Sequence, residues 1–442
     1  MKILITNVHL LTMDEDYNEI NHAYILIEDQ DIVAYGAMAD LTVEADYIVD
    51  GQGAIAIPGM INTHTHLGMV PFRSLGDDTP DRLTRFLFPL EHECMTGALT
   101  YHSSKYAIAE MQLAGISTFF DMYYFEDVVA QATDEMQARA ILGESVIDKS
   151  PDSEQEFGGL TYSQEFIPKW LEHDRIIPAV APHAPYTNTD ESLQAAHQLA
   201  QEYSVPLSIH LSEMTFEMDR YKEEANQTPV EYLESLGVLN NKTLAAHCIY
   251  LTDSDIEIMK QYDVAVAHCI GANTKSAKGV APLAKMLEAG LRVGLGTDGP
   301  SSGNTLDLFT QMRMVANFHK THTEDRSAFP AREIVRLATF GGAQALGLDS
   351  IIGSIQVGKK ADICLIETDS VNMFPIYDAY SAIVYSANAS NVQHLFINGQ
   401  HIVNNKQLTT LSMNELKQNL KQEMIHFQQR AIELANELKI SN

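Results

Sequence analysis

The stretch "PGMINTHTHLGM", residues 58–69, sets His64 and His66 two positions apart directly behind an apolar run. Alternate residues of a β-strand point to one face, so a strand ending His-Thr-His aims both rings the same way. Rings aimed together can share a metal ion. A lone pair of this kind can equally pack in a core or cap a turn, and the rest of the chain decides between these uses.

Seven further apolar stretches follow: "GISTFFDM" (115–122), "RAILGESVI" (139–147), "RIIPAVAPH" (175–183), "PLSIHLSE" (206–213), "TLAAHC" (243–248), "DVAVAHC" (263–269) and "RVGLGTDG" (292–299). The segments between them, such as "DESLQAAHQLAQEY" and "TDSDIEIMKQY", have helical length and apolar spacing. With the His64 strand this makes eight β/α units and predicts an α/β fold, a (β/α)8 TIM-type barrel over residues 58–349. Short alternating runs at 1–57 and again at 350–410, the latter with an "NG" turn at 398–399, predict a small β-sandwich module built from both chain ends. Residues 411–442 carry charges and apolar residues at helical spacing. They predict a C-terminal helix packed outside the barrel or between subunits, which leaves a homo-oligomer open.

Composition narrows the function classes. The 442 residues include 29 basic and 59 acidic side chains, a formal charge of -30 that repels phosphate backbones and anionic lipid. A nucleic-acid partner and a membrane partner are therefore not expected. The cysteines Cys94, Cys248, Cys269 and Cys364 are scattered and form no C-x-x-C pair. The opening "MKILITNVHLLTMDEDYN" is too acidic and its apolar stretch too short for a secretory signal. A cytoplasmic enzyme acting on a small molecule is the expectation.

In such a barrel, functional groups gather at the C-terminal ends of the strands. His64 and His66 close the first strand, His183 the fourth, His210 the fifth, His247 the sixth and His268 the seventh, while Asp298 closes the eighth. Three imidazoles and a carboxylate, His64, His66, His210 and Asp298, suit zinc and leave a position for water; the same residue types leave Fe2+, Mn2+ and Ni2+ open. Glu213 follows His210 by three residues, where it can carry a proton from water to a ring nitrogen and a departing amine. His247 can hold the attacking water, with Asp298 as a second acceptor. For His183 and His268 a supporting or core role is equally open.

The motifs "PGMINTHTHLGM", "HLSE", "AAHC" and "LGTDGPSSGN", in that order, resemble the amidohydrolase superfamily, and most of all its 5'-methylthioadenosine/S-adenosylhomocysteine deaminase and chlorohydrolase-like branch. The resemblance implies metal binding by His64, His66, His210 and Asp298, proton transfer by Glu213, and orientation of water or substrate by His247. Binuclear relatives use a carboxylated lysine on the fourth strand; "RIIPAVAPH" has none, so one divalent ion per chain is expected. By the same resemblance, Glu91 of "FPLE" binds ribose hydroxyls and His183 contacts the nucleoside. Glu144 and Leu160 stand where that branch has carboxylate-binding arginines, so a carboxylate tail on the substrate is expected to meet like charge from Glu144.

The expected reaction is hydrolytic deamination of an amino-substituted heterocycle. An adenine nucleoside such as 5'-methylthioadenosine or adenosine comes first, and S-adenosylhomocysteine ranks lower. The alternatives are the same centre displacing chloride or deaminating guanine, a pterin or a pyrimidine, and a barrel without catalysis that serves binding or assembly. The complete set of metal and proton-transfer residues argues against the last.

Overall fold

The computed structural model describes residues 1–439. Among these, parallel strands Met60–Thr65, Ile116–Tyr123, Arg139–Val146, Ile176–Pro182, Leu207–Leu211, Thr243–His247, Ala265–His268 and Val293–Leu295 pair in sequence order, with helices in the connections. These are the barrel strands the sequence predicts. Alternate residues fall into two cores, as strand geometry requires. Phe119, Leu142, Val180, Ala245 and Val266 join the large core under the helices, while their neighbours Phe120, Ile141, Ala179, Ala246 and Ala267 form a second cluster within the ring. Burial on both faces is why these strands read as unbroken apolar runs.

Threonines start several of the outer helices. Thr228 Oγ1 accepts from Glu231 N–H at 3.1 Å, and Glu231 Oε2 accepts from Thr228 N–H at 2.8 Å. Thr252 and Asp255 repeat the exchange at 3.1 and 2.8 Å. Each box satisfies two backbone donors that a helix start leaves open, and so fixes where the connection into that helix ends.

The eighth and first strands meet without a strand ladder. Asp298 N–H donates to the His64 carbonyl at 3.0 Å, Thr297 N–H to Asn62 Oδ1 at 3.0 Å, and Asn62 Nδ2 to Thr297 Oγ1 at 2.7 Å. This seam places Asp298 beside His64.

Strands from both chain ends make one mixed sheet. Ile55–Pro58 pairs antiparallel with Ile363–Ile366, joining the N-terminal strands to the C-terminal ones. The two halves of this continuous sheet share a core that includes Ile5, Ile25, Ile363 and Phe396. The C-terminal helix runs Met413–Leu438 and sets Phe427 edge-on to Phe72, ring centroids 4.6 Å apart. Residues 440–442 of the predicted C-terminal segment lie outside the described residues. Among the described residues no helix is long and apolar enough to cross a membrane.

A buried ion pair ties the barrel to the small sheet. Arg139, at the start of the third barrel strand, places Nε 3.2 Å from Asp362 Oδ2, and Asn398 N–H donates to Asp362 Oδ1 at 2.7 Å. Removing one partner of such a pair strands the other charge without water. Asp362→Ala is expected to lower the unfolding free energy by about 3–5 kcal/mol in urea titrations. A loss below about 1 kcal/mol would show that Arg139 finds other compensation.

Candidate active site

The C-terminal ends of the strands open on a cavity of about 490 Å³ lined by His66, Glu91, His183, Glu213, Lys278 and Asp298, among others. His66 Nε2 lies 3.2 Å from Asp298 Oδ1 and 3.4 Å from His210 Nε2. His64 Nε2 is 3.9 Å from the same carboxylate oxygen. The ligand atoms of His64, His66 and Asp298 all fall within 4.8 Å of one another, as do those of His64, His210 and His247.

The outer ring nitrogens are spoken for. His66 Nδ1 donates to the Met122 carbonyl at 2.5 Å and His210 Nδ1 to the His183 carbonyl at 2.6 Å. This assignment turns each Nε2 inward, the orientation that metal-ligating histidines adopt. His64 is wholly buried, and among the described residues neither of its ring nitrogens has a hydrogen-bond partner. An unpaired buried imidazole is costly unless a further group satisfies it. The donor set therefore fits a divalent ion.

The backbone turns sharply where these groups leave the strands. His247 and Asp298 sit at φ of 71° and 58°, and Ser212 just before Glu213 at 50°. Left-handed backbone in residues other than glycine costs on the order of 1–3 kcal/mol, and it persists where the surroundings hold it. Here the Asp298 N–H bond to His64 is one such hold.

Electrostatics follow from burial and pairing. Burial alone would raise the Asp298 carboxyl, but the hydrogen bond and charge of His66 hold it well below the usual carboxylate range. His66 rises in turn to about 9 despite a burial that opposes its charge. Burial also opposes ionisation of Glu213, yet the nearby His247 and Lys278 bring it down to about 2. Glu91 goes the other way: burial raises it to about 7, against a hydrogen bond that Tyr123 hydroxyl donates to its Oε1 at 2.7 Å.

Most residues singled out in the sequence come together here. His64, His66, His210, His247, Asp298 and Glu213 form the cluster, and Glu91 and His183 line the same cavity. His268 does not join them; it is buried away from the cavity with its Nε2 2.9 Å from His319 Nε2. The expectation for Glu144 needs correcting. Its neighbour Ser145 lines the cavity, and strand alternation turns Glu144 to the other face, where its Oε2 accepts from Glu126 N–H at 3.0 Å. A wholly buried side chain there cannot repel a substrate tail.

Two residues of the segment after the seventh strand, Asn273 in the short helix Ile270–Lys275 and Lys278 just beyond it, carry no motif in the sequence. Asn273 Oδ1 lies 2.8 Å from His247 Nδ1, and Lys278 Nζ lies 2.5 Å from Glu213 Oε1. Their one signal was position, since that segment opens at the catalytic end of the barrel.

An α/β barrel that gathers histidines, an aspartate and a glutamate at one mouth is built as a metal-dependent hydrolase. The chain belongs to the amidohydrolase family, whose sequence model matches residues 55–402. It is 37% identical over 434 residues to the 5-methylthioadenosine/S-adenosylhomocysteine deaminase of Thermoanaerobacter pseudethanolicus, spanning 97% of this chain and 100% of that protein. The protein of the same name from Carboxydothermus hydrogenoformans is 38% identical over 422 residues, 94% of this chain and 96% of its own length. An adenosine deaminase from Xanthomonas campestris, solved with bound zinc, matches with a TM-score of 0.94 and 28% identity over 97% of this chain and 98% of that one.

Burial, and then Asp152, push the Glu144 carboxyl well above its ordinary value. The folded chain thus keeps a proton that the unfolded chain loses above about pH 4.5, and this contribution to stability shrinks as pH rises. Glu144→Gln carries a permanent amide proton donor. Its Tm is expected to fall less than that of the wild type between about pH 6 and about pH 9. Parallel Tm curves would contradict a neutral Glu144.

Proposed function

We propose that this protein is a metal-dependent aminohydrolase of adenine nucleosides, with 5'-methylthioadenosine or adenosine as substrate and the corresponding 6-oxo nucleoside and ammonia as products. The observation that carries the reading is the meeting of His64, His66, His210 and Asp298 with the Glu213 carboxylate at one cavity. Full-length similarity to 5-methylthioadenosine/S-adenosylhomocysteine deaminases supports the substrate class.

His64, His66, His210 and Asp298 are the residues that would hold the ion, zinc in first place. When bound, such an ion lowers the pKa of a coordinated water to about 7 and so makes a nucleophile available near neutrality. Glu213 is the proton carrier: its carboxylate takes the proton of the attacking water, passes it to the ring nitrogen, and completes the path to the leaving amine. His247 Nε2, 3.6 Å from Glu213 and 3.9 Å from Asp298, is placed to hold the entering oxygen between them. Its Nδ1 rests on Asn273, which fixes the ring. Glu91 and His183 serve the nucleoside, Glu91 at the ribose hydroxyls.

The cations at the cavity are engaged. Arg82 donates to the Leu75 and Ser301 carbonyls at 2.6 and 2.8 Å and pairs with Asp77 at 3.3 Å. Lys275 is held by Asp77 and Asn304 at 2.9 and 2.6 Å. Lys278 is on Glu213. An amino-acid carboxylate on the substrate would have to displace one of these partners, which supports a preference for tails without one.

Ammonia release over a panel of purine nucleosides tests the reading. Glu213→Gln is expected to retain metal while kcat falls by about 10²–10⁴. Turnover within a few-fold of wild type would remove Glu213 from the chemistry. For the tail, kcat/KM with 5'-methylthioadenosine is expected to exceed that with S-adenosylhomocysteine by about ten-fold or more, the worth of a missing charge-assisted hydrogen bond. Equal or better use of S-adenosylhomocysteine would mean that a cavity cation changes partner when it binds.

A further inference from the structure

The segment after the seventh barrel strand grips both groups that flank the metal ligands. Asn273 Oδ1 meets His247 Nδ1 at 2.8 Å, and five residues on Lys278 Nζ meets Glu213 Oε1 at 2.5 Å. The two grips are tied together, since Lys278 N–H donates to the Asn273 carbonyl at 3.0 Å. The Tyr250 hydroxyl anchors the loop from the neighbouring sixth loop by donating to the Lys278 carbonyl. Lys278 thus arrives on a braced backbone, and its side chain is only 21% exposed.

The Glu213 end of the contact is braced as well. Glu217 receives the Ser212 and Glu213 N–H groups at 3.2 and 3.0 Å, which pins the backbone of Glu213 at the strand exit. The carboxylate itself remains free to rotate about its last torsion. Among the described residues Lys278 is the hydrogen-bond donor the carboxylate has, on Oε1, the same oxygen that lies 3.6 Å from His247 Nε2.

We propose that Lys278 is a positioning residue for Glu213, fixing the rotation of its carboxylate by a bond to Oε1, the oxygen on the His247 side of the cavity. The proposal rests on the deaminase reading for its kinetic consequence, but not for its structural one. A proton carrier that must serve water, ring nitrogen and amine in turn loses rate when its carboxylate rotates, because proton transfer needs hydrogen-bond reach at each stop. Lysine suits the task because its ammonium gives strong charge-assisted donors without occupying the cavity with a bulky head. A surface lysine that merely touches the rim would leave kcat alone. A lysine that binds substrate would act on KM.

The experiment uses metal-loaded wild type, Lys278→Met and Lys278→Arg, with metal content measured for each. Lys278→Met, close in length and uncharged, is expected to lower kcat by about 10–100-fold, the size found for partners that orient groups at metal sites, with KM within about three-fold and metal content unchanged. Lys278→Arg restores most of the loss, because a guanidinium also donates to Oε1. Crystal structures of metal-loaded wild type and Lys278→Met supply a readout independent of turnover: Glu213 holds one orientation in wild type and loses it in the variant. An unchanged kcat in Lys278→Met, a change confined to KM, or a Glu213 carboxylate that keeps its orientation without Lys278 would each overturn the proposal. If the wild type releases no ammonia from any nucleoside, the deaminase reading fails, and the orientation of Glu213 in the two structures still decides the role of Lys278.

Discussion

The hydrogen bond from Asp298 N–H to the His64 carbonyl, 3.0 Å long, closes the barrel and assembles the site together. The eighth strand meets the first through this contact and the Asn62–Thr297 exchange instead of a regular ladder. The contact carries the Asp298 carboxylate to within 3.2 Å of His66 Nε2. The left-handed backbone at Asp298 is part of the same constraint, since an extended residue would continue along the strand and carry its carboxylate past the histidines.

The rest of the site depends on fixing ring nitrogens before any ligand arrives. Met122 and His183 lend backbone carbonyls to His66 and His210, and Asn273 lends its amide oxygen to His247. Each partner belongs to the neighbouring strand or to the segment that leaves it, so the register of the parallel strands, and not the histidine alone, sets which ring nitrogen turns inward. Preorganisation of this kind means little rearrangement is needed when charge develops in the reaction.

The barrel was legible in the sequence because its strands are buried on both faces and bounded by turns, and the cluster of His64, His66, His210, His247 and Asp298 was legible because imidazoles and an aspartate recur at strand ends. What stayed hidden depends on where a side chain points or how far it reaches. Glu144 lies on the third strand one residue from the cavity-lining Ser145, and a single step of alternation takes it out of the cavity. His268 occupies the same kind of strand end as His247, yet its ring goes to His319 in the core. Asn273 lies in the short helix Ile270–Lys275 and Lys278 in the irregular segment after it, and only the folded segment shows what they touch. The small sheet was expected as a sandwich from both chain ends; the Ile55–Pro58 and Ile363–Ile366 pairing that makes its two halves one sheet is a long-range contact no local pattern announces.

The central claim is the proposal that His64, His66, His210 and Asp298 hold a single ion on which the chemistry depends, and a metal titration tests it most directly. The protein is stripped with a chelator and zinc is restored stepwise, with bound metal and ammonia release from 5'-methylthioadenosine measured on each sample. The account predicts that activity vanishes on stripping and returns in proportion to bound zinc, levelling off at about one ion per chain. Activity that survives complete stripping, or that keeps rising until two ions are bound, would contradict it.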